Sequence, residues 1–137
     1  MSVDTNLIKS PYKREKFNQQ QIEEIVQCTQ DPKYFIENFV WIQHPVKGRL
    51  KFDLFDFQRG LLDAYHNHRY SIALISRQMG KSTAAGAYLL WYAMYVPDQT
   101  ILIAAHKYSG AQEIMQRIRF AYELLPDHVR AGCTAYN

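Results

Sequence analysis

The chain has 137 residues, of which 47% are hydrophobic and 21% are charged, and its formal net charge is +3. This size and balance are typical of a packed domain and argue against disorder of the whole chain, while the mild basicity permits a nucleic-acid partner without requiring one. Cys28 and Cys133 lie far apart and form no C-x-x-C pair, so we expect neither a disulfide framework nor a cysteine-rich zinc site. The apolar run 84–96 is too short to span a bilayer, and the N-terminus is too polar for a signal peptide. We therefore expect a cytoplasmic protein.

The N-terminal part of the chain predicts a polar segment and two helices. Residues 1–17 contain four cations and little apolar periodicity, which is typical of an exposed basic lead-in. Asn18 followed by Gln21 resembles a capping box and predicts a helix over residues 18–28. An Asp-Pro start signal then predicts a second helix over residues 31–39.

The next stretch predicts a hairpin and a third helix. Proline and glycine punctuate a segment of alternating polar and apolar residues, which indicates a short hairpin that turns near residues 47–48. Apolar residues at helical spacing predict a helix over residues 56–67. We group residues 18–69 as a small helical region with one hairpin.

The second half, residues 70–137, predicts alternating strands and helices. Two short apolar runs, 71–76 and 100–105, are of the kind found in buried parallel strands. Each run precedes a predicted helix, the first ending near Tyr95 and the second spanning residues 109–125. This order predicts an α/β fold with a parallel sheet and right-handed crossovers, and two strands make that sheet incomplete.

The segment Ser76–Thr83 reads S-R-Q-M-G-K-S-T and resembles a phosphate-binding loop. The general signature is G-x-x-x-x-G-K-[ST], and its second half is present, whereas Ile75 stands where the first glycine belongs. In such loops the lysine, here Lys81, reaches the β- and γ-phosphates, and the next hydroxyl, here Ser82, ligates Mg²⁺. The tripeptide Gly80-Lys81-Ser82 also starts ordinary solvated helices, but the predicted strand before it and the helix after it favour nucleotide binding.

Phe57 and Gln58 form a second informative pair on the predicted helix before the loop. A glutamine amide both donates and accepts hydrogen bonds, which suits the edge of adenine, and an aromatic ring can pack on the base. By itself the pair also fits a surface glutamine beside a core phenylalanine. It supports an adenine site only in combination with the loop.

These residues resemble the large terminase subunit of tailed bacteriophages, most closely that of T-even-type myoviruses. The phosphate loop of that family reads S-R-Q-[LM]-G-K-[ST]-T, and its adenine-binding motif is an aromatic-Gln pair on the preceding helix. Residues 103–107 and 123–127 resemble family segments further along the chain. The resemblance runs from about Asn18 onward.

The resemblance implies a P-loop NTPase of the RecA/ASCE-like type that uses ATP and Mg²⁺ to drive double-stranded DNA into a procapsid. Its implied partners are the portal protein, the small terminase subunit and further copies of itself, in the host cytoplasm. It implies catalytic roles for Arg77, which stabilises charge at the γ-phosphate, and for Lys81, with Ser82 at the metal and Gln58 at the adenine. The other implied cofactor-binding residues are Phe57, Ser76, Gln78, Met79, Gly80 and Thr83.

One expected motif is missing from the sequence. Family members carry a downstream strand ending in Asp-Glu, where Asp supports Mg²⁺ and Glu activates water, and a C-terminal nuclease domain. The chain has no Asp-Glu pair, and its acidic doublet Glu23-Glu24 precedes the loop. We therefore expect an N-terminal part of a terminase ATPase domain, with weak or no hydrolysis by itself. A helicase-like DNA translocase and a nucleotide-binding fragment without turnover are the alternatives.

Overall fold

A computed structural model of the chain describes residues 7–136, which form five helices and one two-stranded sheet. The helices are α1 (Gln19–Gln30), α2 (Pro32–Phe39), α3 (Asp56–Asn67), α4 (Lys81–Tyr95) and α5 (Tyr108–Glu123). The strands are β1 (Trp41–His44) and β2 (Gly48–Lys51). Residues 1–6 of the predicted lead-in lie outside the described part of the chain.

The first two helices start where the sequence predicts them. The Asn18 side chain accepts a hydrogen bond from the Gln21 N–H at 2.8 Å, and the Gln21 side chain accepts one from the Asn18 N–H at 3.0 Å. This pair is a complete capping box. At α2, the Asp31 carboxylate accepts from the Lys33 N–H at 2.9 Å, and Pro32 occupies the first helical position. Both predicted helices are confirmed.

The predicted hairpin is also confirmed. Strands β1 and β2 are antiparallel, with Trp41 opposite Lys51 and His44 opposite Gly48. Gly48 has a φ of +73°, which a residue without a Cβ adopts at little cost at the end of the turn. The Nδ1 atom of His44 accepts a hydrogen bond from the Lys47 N–H at 3.1 Å and helps to close that turn.

Helix α4 lies at the centre of the core and packs against α2, α3 and α5. The indole Nε1 of Trp91 donates to the Cys28 carbonyl at 2.6 Å, which ties α4 to α1. The Tyr95 hydroxyl donates to the Val129 carbonyl at 2.7 Å, which ties α4 to the C-terminal segment. A helix with apolar residues on most of its faces is stable only when it is surrounded in this way.

The predicted α/β fold with a parallel P-loop-type sheet is wrong for the described residues. Between residues 7 and 136 the structure contains one sheet, the antiparallel hairpin β1–β2, and the predicted strands 71–76 and 100–105 have no regular secondary structure. A strand requires a neighbour that accepts and donates its ladder hydrogen bonds. An apolar run in the sequence carries no information about whether that neighbour is present.

The side chains of these two segments show the same lack of a partner. Ile72 and Leu74 are 96% and 97% exposed, and Leu102 is 89% exposed. In a parallel sheet covered on both faces these residues would be buried. Their exposure shows that these side chains, like the backbone of the two segments, lack the neighbours that a covered sheet would provide.

The described part of the N-terminal segment lies against the C-terminal one. The Cys133 N–H donates to the Lys9 carbonyl at 2.8 Å, and the Lys9 Nζ donates to the Asp127 carbonyl at 2.6 Å. An Arg130 Nη donates to the Leu7 carbonyl at 3.1 Å. Within residues 7–136, no helix is both long and apolar enough to cross a membrane.

Candidate functional site

The loop between residue 76 and the start of α4 has an alternating backbone conformation. Gln78 and Gly80 have positive φ values of 61° and 71°, whereas Met79 between them does not. Left-handed residues in a loop are one element of anion-binding nests, in which successive N–H groups point toward one side. A positive φ is sterically unfavourable for Gln78, because it carries a Cβ.

The start of α4 offers further backbone donors directly after the loop. Gly80 is its N-cap and makes no side-chain capping hydrogen bond, and the first hydrogen bond of the helix runs from the Ala84 N–H to the Gly80 carbonyl at 2.9 Å. The first N–H groups of any helix need partners from outside the helix. They also lie at the positive end of the helix dipole, so an anion satisfies both requirements.

Two cations and three hydroxyl groups belong to this loop and to the first turn of α4. Lys81 is exposed, and its Nζ donates to the Ile75 carbonyl at 3.3 Å, so the ammonium group folds back over the loop. Arg77 is exposed, as is Ser76, while Ser82 is partly buried at the second helical position. The segment Ser76–Thr83 carries no acidic side chain. This distribution of charge suits a phosphate group.

The structure brings Gln58 to the loop from α3. Gln58 is only 3% exposed, and its Nε2 lies 3.4 Å from the Met79 carbonyl oxygen and 3.5 Å from that of Gly80. Its Oε1 accepts from the Phe55 N–H at 3.0 Å. The sequence predicts Gln58 as a site residue, but it does not predict these backbone partners.

Phe57 faces away from Gln58 along the helix, as neighbouring helical positions do. Its ring stacks on that of Phe55 with centroids 5.9 Å apart and planes 10° apart. Both rings are exposed, which leaves an aromatic surface next to α3. A role of Phe57 beside adenine stays a prediction.

Arg117 of α5 is a neighbour of the loop that the sequence analysis does not identify. Its Nη1 donates to the Thr83 hydroxyl at 3.3 Å across 34 residues of sequence. An arginine on an amphipathic helix resembles any solvated cation in sequence, so no local signal separates it from its neighbours. Only the packing of α5 against α4 reveals that it lies near the first turn of α4.

A cavity of about 640 Å³ lies between the hairpin, α4 and α5. It is only partly enclosed, and Thr83 and Arg117 belong to its wall, so it reaches the first turn of α4. The lining combines aromatic and apolar surface with a few polar groups, a composition typical of small-molecule pockets. Further lining residues include Trp41, His44, Glu113 and Phe120.

The described residues offer no protein-only metal site. Among residues 7–136 there is no group of three histidine, cysteine or acidic side chains placed to hold an ion. Mg²⁺ commonly binds through nucleotide phosphates and one or two protein oxygens, so the predicted role of Ser82 needs no such group. A comparison with models of known protein families finds none that matches this chain.

Proposed function

We propose that this chain binds ATP with Mg²⁺ through Ser76–Thr83, as the nucleotide-binding part of a DNA-packaging motor of the large-terminase type. The observation that carries the proposal is the combination of three features at one place. They are the alternating left-handed backbone at Gln78 and Gly80, the uncapped start of α4, and the ammonium group of Lys81 above the loop. Each feature favours a phosphate for its own physical reason.

In this proposal the backbone N–H groups of the loop hold the β-phosphate, and Lys81 reaches the β- and γ-phosphates. Ser82, at the second position of α4, supplies an oxygen to the nucleotide-bound Mg²⁺. Arg77 contacts the γ-phosphate and offsets charge as the bond to it breaks. The exposure of Arg77 and Lys81 leaves both side chains free to turn toward a ligand.

The proposed motor acts on double-stranded DNA at the procapsid portal in the host cytoplasm, with the small terminase subunit and other copies of the large subunit. This part of the proposal is supported by the sequence S-R-Q-M-G-K-S-T and by the Phe57-Gln58 pair. Hydrolysis needs a group that activates water, and the sequence lacks the Asp-Glu pair that would supply it. The proposed role of these 137 residues is therefore to bind nucleotide with little or no turnover.

A titration with a fluorescent ATP analogue tests the proposal. Lys81→Ala removes a charged hydrogen-bond donor to phosphate, which should raise Kd roughly tenfold to a hundredfold. Lys47→Ala is the matched control, because Lys47 is an exposed lysine in the hairpin turn and its replacement changes the net charge equally. An unchanged Kd for Lys81→Ala, or equal weakening by both variants, would contradict the assignment of the loop.

A further inference from the structure

The side-chain amide of Gln58 is occupied by the protein itself. Its Oε1 accepts from the Phe55 N–H, and its Nε2 faces the carbonyl oxygens of Met79 and Gly80 at 3.4 and 3.5 Å. A primary amide has two N–H donors, so each carbonyl has one donor available to it. With 3% exposure, the group has little surface left for a ligand.

The contact with Met79 orients the loop's N–H group at Gly80, and the Gly80 carbonyl is held both by Gln58 and by the first hydrogen bond of α4, from the Ala84 N–H at 2.9 Å. In a trans peptide unit the C=O and the N–H of the next residue point in opposite directions. When the Met79 and Gly80 carbonyls turn toward Gln58, the N–H groups of Gly80 and Lys81 must point away from it. That is the direction in which an anion can approach the loop.

The space around Gly80 shows how closely Gln58 approaches. A Cβ added at Gly80 would lie 2.7 Å from the Gln58 Nε2, which is closer than nonbonded atoms allow. Gly80 also needs its positive φ of 71°. The glycine of the loop and the glutamine of α3 therefore fit each other as a pair.

We propose that Gln58 is a positioning residue that holds the Met79 and Gly80 carbonyls away from bound phosphate, and that it does not read the adenine base. This inference rests on the proposed function, because it assigns Gln58 a task at the same phosphate site. It makes the contribution of Gln58 to binding independent of the base. The aromatic-Gln motif then acts on the triphosphate through the backbone of the loop.

Replacing Gln58 and comparing three ligands separates the two roles. Gln58→Met keeps an unbranched side chain of similar length but removes the three hydrogen bonds. If Gln58 positions the loop, Kd for MgATP, MgGTP and magnesium tripolyphosphate should rise by the same factor, roughly tenfold. If Gln58 reads adenine, only MgATP binding should weaken, and that result would overturn the inference.

Leu62→Ala is the matched control for general destabilisation. Leu62 is buried on α3 and belongs to the hydrophobic core. This variant should lower the melting temperature without changing the three Kd values. A loss of affinity equal to that of Gln58→Met would show that the loop responds to instability of α3 in general, and would overturn the inference.

A measurement on the unaltered protein covers the case in which Gln58→Met does not fold. The side-chain amide resonance of Gln58 should shift in an NMR titration with magnesium tripolyphosphate, which has no base, and should stay in place with adenosine. The reverse pattern would overturn the inference. Failure of the unaltered protein to bind all three ligands would instead overturn the proposed function, on which the inference rests.

Discussion

Gln58 and Lys81 illustrate what a sequence reveals about single residues. The glycine-lysine-serine pattern predicts the type and order of groups at the loop, because the phosphate chemistry needs those residues next to one another. The hydrogen bonds from Gln58 to Met79 and Gly80 join residues more than 20 positions apart. No local pattern carries that information, and the same is true of Arg117 beside Thr83.

The reactivity of the Cys28 thiol should depend on whether the protein is folded. Its side chain is fully buried, and desolvation raises the pKa of the thiol to about 12. The thiolate is the reactive form, so at pH 8 Cys28 should be alkylated on the order of a thousandfold more slowly in the folded protein than in urea. Mass spectrometry after timed iodoacetamide treatment measures this protection.

Cys133 is the internal control, because it is only partly buried. It should react while the protein is folded, whereas Cys28 should react only after unfolding. Equal rates for the two cysteines under native conditions would contradict the packing of α1 against α4.

At the scale of elements, the sequence predicts what local chemistry determines. Helices α1 and α2 carry their start signals within a few residues, α3 carries apolar residues at helical spacing, and the hairpin carries its turn residues, so their bounds are predicted closely. The predicted strands 71–76 and 100–105 failed because a strand also needs a paired neighbour. Apolar composition predicts burial and not pairing, and the exposed Ile72 and Leu74 have neither.

The capping box of α1 should contribute measurably to the free energy of unfolding. Asn18→Ala removes the acceptor for the Gln21 N–H and should lower the free energy of unfolding by about 1 kcal/mol. Gln27→Ala, at an exposed position of the same helix, should change it by less than about 0.5 kcal/mol. Urea unfolding followed by circular dichroism compares the two, and equal values would contradict a cap-dependent helix.

At the scale of the whole molecule, a well-packed helical core coexists with exposed apolar segments. Trp91 and Tyr95 connect α4 to α1 and to the C-terminal segment, whereas Ile72, Leu74 and Leu102 lie almost entirely in solvent. Unpaired backbone next to exposed apolar side chains is a template for association with other chains. The molecule should therefore associate with itself as its concentration rises.

Substitutions on the exposed segment test this expectation. Replacing both Ile72 and Leu74 with lysine should raise the concentration at which association begins, because charge opposes edge-to-edge pairing. The free energy of unfolding should change by no more than about 0.5 kcal/mol, because neither side chain is packed. Analytical ultracentrifugation measures the association.

Val46→Lys is the control, since Val46 is an exposed apolar residue in the hairpin turn. It should leave the association unchanged. If it suppresses association as strongly as the Ile72 and Leu74 substitutions, general charge repulsion and not the unpaired segment governs the effect.

The claim that connects all three scales is that the loop Ser76–Thr83 receives a triphosphate. Backbone amide shifts in a ¹⁵N–¹H NMR titration test it most directly, with MgATP compared against AMP at equal concentration. We predict that MgATP shifts the amides of residues 77–83 strongly and that AMP shifts them little, because AMP lacks the β- and γ-phosphates. Unchanged amides in this loop, with shifts confined to other parts of the chain, would contradict the account.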